Sequence, residues 1–201
     1  MPWTATTRYG LEPAPGGLAF VHDLLNTRPA GKPRTPDLLE TVEDAQSWLD
    51  QALASWSAAT GRPAPAVDLT AEDARSLRDF RHDLQRSLHA RHGDPAAEPG
   101  TAASLLTLPT ALRLDDHGVV RVEPRGTGWR RAASLALIEA YDAQRADTLR
   151  RLKECRNTRC QVAFYDRSRN NSGVWHDVHV CGNAANLRSY RARKRAGADR
   201  A

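Results

Sequence analysis

Cys155-Arg-Asn-Thr-Arg-Cys160 and His176-Asp-Val-His-Val-Cys181-Gly-Asn183 stand near the end of the chain, followed by the arginine-rich run Ala184-Ala-Asn-Leu-Arg-Ser-Tyr-Arg-Ala-Arg-Lys-Arg195. All three cysteines of the 201 residues fall in this window. Four residues separate the first two, and four separate His176 from Cys181. A structural zinc ion takes four sulfur or nitrogen ligands at tetrahedral corners. Cys155, Cys160 and Cys181 supply three, and a histidine supplies the fourth. His179 lies only two residues from Cys181. That spacing is cramped for two ligands of one ion, so His176 is favoured.

Working outward, Gln161–Tyr165 has the composition of a strand, and Val174-Trp175 of a return strand. Between them Asp166–Gly173 is a polar turn carrying Arg167, Arg169 and Asn170. Asp177 is placed to cap a short helical turn leading to Cys181, Gly182 to allow an unusual backbone angle, and Asn183 to cap the last helix. On that helix Leu187 and Tyr190 share a side suited to packing on the zinc module. Arg188, Arg191 and Arg195 fall on one stripe, and Arg193 and Lys194 add charge elsewhere. A cationic helix beside a zinc hairpin suits DNA phosphates or a major groove.

Charge divides the chain in the same place. Residues 150–201 hold 13 Lys/Arg against 4 Asp/Glu, whereas the preceding 149 residues hold 16 against 20, so the net charge of +5 comes from the C-terminal part. Such polarity is an adaptation to a polyanion. The N-terminus lacks the apolar core of a signal peptide, and no stretch approaches the roughly 20 apolar residues of a membrane span. An odd cysteine count without an export signal argues against a disulfide framework, so a cytoplasmic protein with reduced, metal-binding thiols is expected.

The first 149 residues are expected to form a mainly helical domain. Between the breakers Pro15-Gly16-Gly17 and Pro29, Leu18–Thr27 is a buried element, either strand or short helix. His22, Asn26 and Thr27 at its edge either line a pocket for a small-molecule effector or serve as capping and core hydrogen bonds. Asp37–Ala59 carries an apolar stripe at helical spacing, with Thr35-Pro36 as its start signal and Gly61 as its stop. Thr70–Arg91 forms a second helix opened by Thr70-Ala-Glu-Asp73, a capping box. Its neighbours His82, His89 and His92 sit among many charges, as solvent-facing histidines do. Gly93–Gly100 is a connection, Ala111–Pro124 a β-hairpin turning at His117-Gly118, and Trp129–Leu152 a helix with Leu135, Ile138 and Tyr141 inward. The fold class is therefore α+β. A helical domain with a hairpin (1–149) precedes a small treble-clef-like zinc finger with a basic C-terminal helix (150–201).

The C-terminal segment resembles the CGNR zinc finger of bacterial proteins. The match rests on Cys155-x4-Cys160, Phe164-Tyr165-Asp166, Ser168-Arg169-Asn170, Trp175, Cys181-Gly182-Asn183 and the arginine run. Upstream, Leu25-Asn26-Thr27 is similar to the early signature of the ABATE domain. The resemblance implies a zinc-containing transcriptional regulator. Two positions depart from it. His176 stands where the family has cysteine, which makes the site less anionic and more easily stripped by acid. Ala184 stands where it has arginine, which removes one expected DNA contact.

The leading expectation is thus a non-enzymatic, DNA-binding regulator holding one Zn2+ per chain, with an N-terminal domain that senses a small ligand or forms a homodimer, and with no membrane association. Alternatives are an RNA-binding module, a redox or metal sensor, and a zinc-stapled nuclease using His179, Asp177 and Asn183.

Overall fold

The computed structural model describes residues 3–31, 33–91, 106–187, 190 and 191. Its helices are α1 (Thr4–Thr7), α2 (Leu18–Leu25), α3 (Val42–Thr60), α4 (Ala71–Arg91) and α5 (Gly128–Arg145). Two antiparallel ribbons complete the α+β fold: β1 (Thr110–Leu114) with β2 (Val120–Pro124), and β3 (Leu152–Glu154) with β4 (Ala163–Tyr165). No described helix is long and apolar enough to cross a membrane.

Helix α2 lies at the centre, and all eight of its residues are buried. A helix covered on every side must answer each polar group internally. Asp23 does so by accepting from the Thr6 N–H at 2.7 Å and from the Trp48 indole at 2.9 Å, which ties α1 and α3 to α2. Helix α3 presents Ala45, Trp48, Leu49, Ala52, Leu53 and Trp56 to the core. It starts later than the sequence suggests. The Thr41 hydroxyl, not Thr35-Pro36, accepts from the Asp44 N–H at 3.1 Å, because Asp37 is committed elsewhere. Both Asp37 oxygens accept from Arg81 at 2.7 Å. That arginine is only 1% exposed and also reaches Thr27 Oγ1. Burial works to raise Asp37, but the bidentate pairing with Arg81 outweighs it and holds the carboxyl below its ordinary value.

Helix α4 begins as expected, with Thr70 and Asp73 exchanging side-chain-to-backbone hydrogen bonds. His82 is exposed. His92, the Gly93–Gly100 connection and the His89 side chain lie outside the described residues. In the first hairpin Asp115 accepts from the His117 and Val119 N–H groups, which closes the turn. The hairpin exposes Leu112, Leu114 and Val120.

Helix α5 departs from expectation in length and in one of its three inward residues. It ends at Arg145, where Asp147 adopts a positive φ of 57°, and Leu152 continues as strand rather than helix. Tyr141 is 58% exposed. At about 100° per residue the positions 135, 138 and 141 drift around the helix. Leu135 and Ile138 are buried as expected, and the face continues through Ala132, Ala136, Glu139, Ala140 and Ala143 rather than Tyr141.

The hydrophobic core does not break at residue 150, since Leu149, Leu152 and Ala163 belong to the same cluster as Phe20, Leu24, Leu49 and Leu77. Polar contacts follow the same route. Asn26 accepts from the Ala163 N–H at 2.9 Å and donates to the Ala163 carbonyl at 3.0 Å, occupying a ladder position beside β4. His22 accepts from the Ala14 N–H through Nδ1, which leaves Nε2 to donate to the same Ala163 carbonyl at 3.0 Å. Thr27 donates to the Leu24 carbonyl and accepts from Arg81. His22, Asn26 and Thr27 are each 0% exposed. Of the two sequence readings, their bonds fit core hydrogen bonding rather than pocket lining: His22 and Asn26 pin α2 to the C-terminal ribbon, and Thr27 ties the end of α2 to Arg81 of α4.

Replacing Asn26 by alanine removes both bonds and strands a buried backbone donor, so Asn26→Ala is expected to cost about 3 kcal/mol. Urea unfolding of the zinc-loaded protein would measure it. Burial lowers His22 to about 4 from its ordinary 6.5. Between those values the unfolded chain binds a proton that the folded chain refuses. Stability therefore falls as pH drops through this window, by up to about 3 kcal/mol. Ring nitrogen shifts of His22 should stay those of the neutral Nε2–H form down to about pH 4; titration near 6.5 would contradict the assignment.

Candidate metal centre

Three short backbone devices bring the ligands together. The Cys155 N–H donates to the Val162 carbonyl at 2.9 Å, and the Cys160 N–H donates to the Asn157 carbonyl at 2.6 Å, folding residues 155–162 into a knuckle. The Arg156 N–H donates to the Val174 carbonyl at 3.0 Å and draws the later segment alongside. Asp177 then accepts from the Val180 N–H at 2.9 Å and caps a π-helical turn, Val178–Gly182, that delivers Cys181. The capping role expected for Asp177 is thus present. Asn183, by contrast, has helical angles and lies inside the helix rather than capping it.

The ligand atoms of Cys155, Cys160, His176 and Cys181 all lie within 4.8 Å of one another. Cys160 Sγ is 3.4 Å from His176 Nδ1, which identifies Nδ1 as the inward nitrogen. His179 is exposed and outside the group. A tetrahedral site with metal–sulfur bonds of about 2.3 Å has ligand–ligand separations near 3.8 Å, so a small contraction seats an ion. The donor set fits zinc. A hydrogen bond from Cys160, with His176 beside it, lowers the Cys155 thiol below its ordinary value. The bond with Cys155 and burial raise Cys160, and burial raises Cys181. Three thiols this close resist ionising together, and a bound cation would relieve that.

Two buried polar residues support the ligands. Asn157 is buried and donates to Cys181 Sγ at 3.3 Å, orienting a ligand from behind. Asp166 is buried and accepts from Lys153 Nζ at 2.7 Å and from the Ser168 and Gly173 N–H groups. Burial pushes its carboxyl up, but these donors outweigh that and hold it well below the usual range. Lys153 also donates to the Asn171 and Gly173 carbonyls, so this ion pair shapes the whole polar turn. An asparagine suited to the tight knuckle and an aspartate opening a Ser/Asn/Gly turn are legible cues, but their partners Cys181 and Lys153 are set by the tertiary structure.

Other expectations change. The partner of β4 is β3, which precedes the knuckle, and not Val174-Trp175. Gly182 has no positive φ; it is needed for space, since a Cβ there would meet Trp175 Cδ1 at 3.2 Å. Trp175 packs on the cluster of Ala30, Cys155, Cys160, Val162 and Cys181, together with Tyr9 and Leu11. The Gly31 N–H donates to the Cys160 carbonyl at 3.0 Å. Much of what encloses the centre thus comes from the first 31 residues.

Among the expected DNA-facing residues, Arg169 and Asn170 are exposed. Arg167 is engaged by Glu12 at 3.2 Å and by the Pro13 carbonyl at 2.7 Å. The chain is helical at 183–187 and at 190 and 191, where Arg191 is exposed and Ala184 half-buried. Leu187 and Tyr190 are 49% and 58% exposed and do not pack on the finger as expected. Arg188, Arg193, Lys194 and Arg195 lie outside the described residues. Arg156 and Arg159 are two further exposed cations, on the knuckle itself. His179 and Asp177 belong to no group of three or more His, Cys, Asp or Glu side chains close enough to hold a metal among the described residues.

Comparison with known families matches residues 151–194 to the CGNR zinc finger. No curated protein gives a match. The matched residues contain all four members of the Cys/Cys/His/Cys cluster, which is placed to hold a metal ion in a segment that matches a zinc finger.

His176→Ala is expected to lower the zinc content of the purified protein, measured by atomic emission after dialysis. Wild-type retention in the variant would remove His176 from the ligand set. Acidification should release metal from the wild type, because every ligand must shed a proton to bind.

Proposed function

We propose that this protein is a transcriptional regulator that binds double-stranded DNA through its C-terminal zinc finger and the arginine-rich segment behind it. One zinc ion per chain acts structurally, holding the knuckle and the π-helical turn in fixed relation. The observation that carries this reading is the Cys/Cys/His/Cys cluster embedded in the cationic end of the chain, in a segment matching a zinc-finger family. The four ligands come from the protein, which leaves no open position for substrate and favours a structural over a catalytic ion.

Arg156, Arg159, Arg169 and Arg191 are exposed where a phosphate backbone can approach. Arg188, Arg193, Lys194 and Arg195 extend that charge in the sequence. These cations supply affinity through counterion release, and sequence preference would come from whichever arginine reaches a guanine edge. The acidic, mainly helical remainder is suited to holding a small effector or a second copy of the chain, and it repels DNA from its own surface. Pairing of two chains would match paired half-sites.

Fluorescence anisotropy with duplex DNA over a salt series tests this. Arg188→Ala, Arg191→Ala and Arg195→Ala together should weaken binding and reduce the slope of log K against log salt by about 2 to 3, near 0.9 per lost phosphate contact. An unchanged slope would place the DNA surface elsewhere. Tighter binding to RNA of the same sequence would favour the RNA-binding reading.

A further inference from the structure

The two faces of the β1–β2 ribbon are opposite in kind. On one face Thr110, Leu112 and Leu114 stand across from Pro124, Val122 and Val120, and none of the six is charged. On the other, Ala111 and Arg113 stand across from Glu123 and Arg121. An antiparallel ribbon with this alternation ordinarily turns its apolar face to the core and its charged face to water. Here the orientation is reversed. Arg113, Asp115, Arg121 and Glu123 look toward the body of the chain, where they line a cavity of about 520 Å³ together with Arg62 and Arg131. Leu112, Leu114 and Val120 look outward and are 75%, 68% and 61% exposed.

The ribbon is held as a fixed platform. At its base the Pro109 carbonyl accepts from the Arg125 N–H at 3.1 Å and from the Ser134 hydroxyl of α5 at 2.9 Å. At its tip Asp115 closes the turn. The charges of the inward face are paired within the chain, Arg113 with Glu123 and Arg121 with Asp115, each at 3.4 Å. A partner that settles on the outer face therefore strips no ionic group of water and has little backbone to order.

We propose that this outer face pairs with the same face of a second copy of the chain. The chemistry of the face selects the occupant. Without a cation it offers nothing to nucleic acid, and without a charge of either sign it gives a charged peptide no counterpart. A two-fold pair sets one patch against itself, which an uncharged apolar patch accepts without repulsion. The three outward side chains present apolar surface on the order of 350 Å² in each chain. Two copies then bury about 700 Å² of it, and a polar rim brings the total to roughly 1,200 Å², the lower end of specific pairs. The pair is thus of micromolar strength rather than an obligate dimer. This pairing deepens the reading of the acidic part as a region able to hold a second copy, and rests on it.

Sedimentation velocity of the full zinc-loaded chain, without DNA, over about 1 to 200 μM tests the pairing. A monomer–dimer equilibrium with its midpoint in the micromolar range is expected. Leu112→Glu and Leu112→Lys should each weaken it at least tenfold, because each sets like charges together, and an equimolar mixture of the two should restore it. Restoration separates a face matched to itself from one that meets a different patch. Arg121→Gln, on the inward face, should leave the equilibrium within twofold. If the charged variants do not fold, Leu114→Thr, which keeps a strand-forming residue, should show the same tenfold loss. A chain that stays monomeric throughout, a dimer equally strong in Leu112→Glu, or a mixture that fails to pair would overturn the proposal. So would a dilute monomer whose Tm falls by several degrees in Leu112→Glu, since its own chain would then be covering the face. These runs contain no DNA, so their failure leaves the DNA-binding reading standing. A chain that pairs but binds no DNA loses that reading alone.

Discussion

The carboxamide of Asn26 takes both the N–H and the carbonyl of Ala163, and His22 donates a second bond to that carbonyl. A ribbon of two three-residue strands, β3 and β4, cannot hold itself together in water. It needs something on each side. On one side, the side chain of a buried helix mimics a neighbouring strand. On the other, the cysteine and histidine cluster draws the knuckle and the later turn onto a common point. Because α2 is itself covered by α1, α3, α4 and α5, the ribbon is anchored to the most deeply buried element of the molecule.

Electrostatics follow from that arrangement. Every buried charge near the junction has a specific partner: Asp37 with Arg81, Asp166 with Lys153, and Arg28 with Glu154 at 3.5 Å. Breaking one side of such a pair leaves a charge in a poorly solvating place, which is more damaging than never having had the pair. The Arg28–Glu154 pair and the Gly31–Cys160 hydrogen bond both join the first residues of the chain to the knuckle. Metal binding and the packing of the N-terminal segment are therefore linked by direct contacts. Leu152 and Ala163 of the ribbon belong to the core of the N-terminal helices, and the knuckle forms a second small cluster that Ala30, Tyr9 and Leu11 join.

At the knuckle, thiol groups converge until a cation is needed, and Arg156 and Arg159 stand exposed beside them. Glu139 is engaged by Arg62 and lies against Gly17 at the start of α2, and burial raises its carboxyl although Arg62 opposes the shift.

The sequence by itself determined what short range decides. Zinc-ligand spacing, the Thr70–Asp73 cap, the stop at Gly61, the hairpin around Asp115 and the stripes of α3 and α4 are set by neighbours within a few residues. The choice of His176 over His179 also followed from local geometry. Tertiary structure decided what depends on partners distant along the chain. Leu18–Leu25 became helix because it is buried on every face, and α3 began at Thr41 because Asp37 was taken by Arg81. His22, Asn26 and Thr27 became pins rather than pocket lining because Ala163 and Arg81 lie beside them in space, 137 residues onward in the case of Asn26 and Ala163. The strand pairing of β3 with β4 was hidden for the same reason. A three-residue strand carries too little pattern to announce itself, and only the core it closes against, through Leu152 and Ala163, selects its partner.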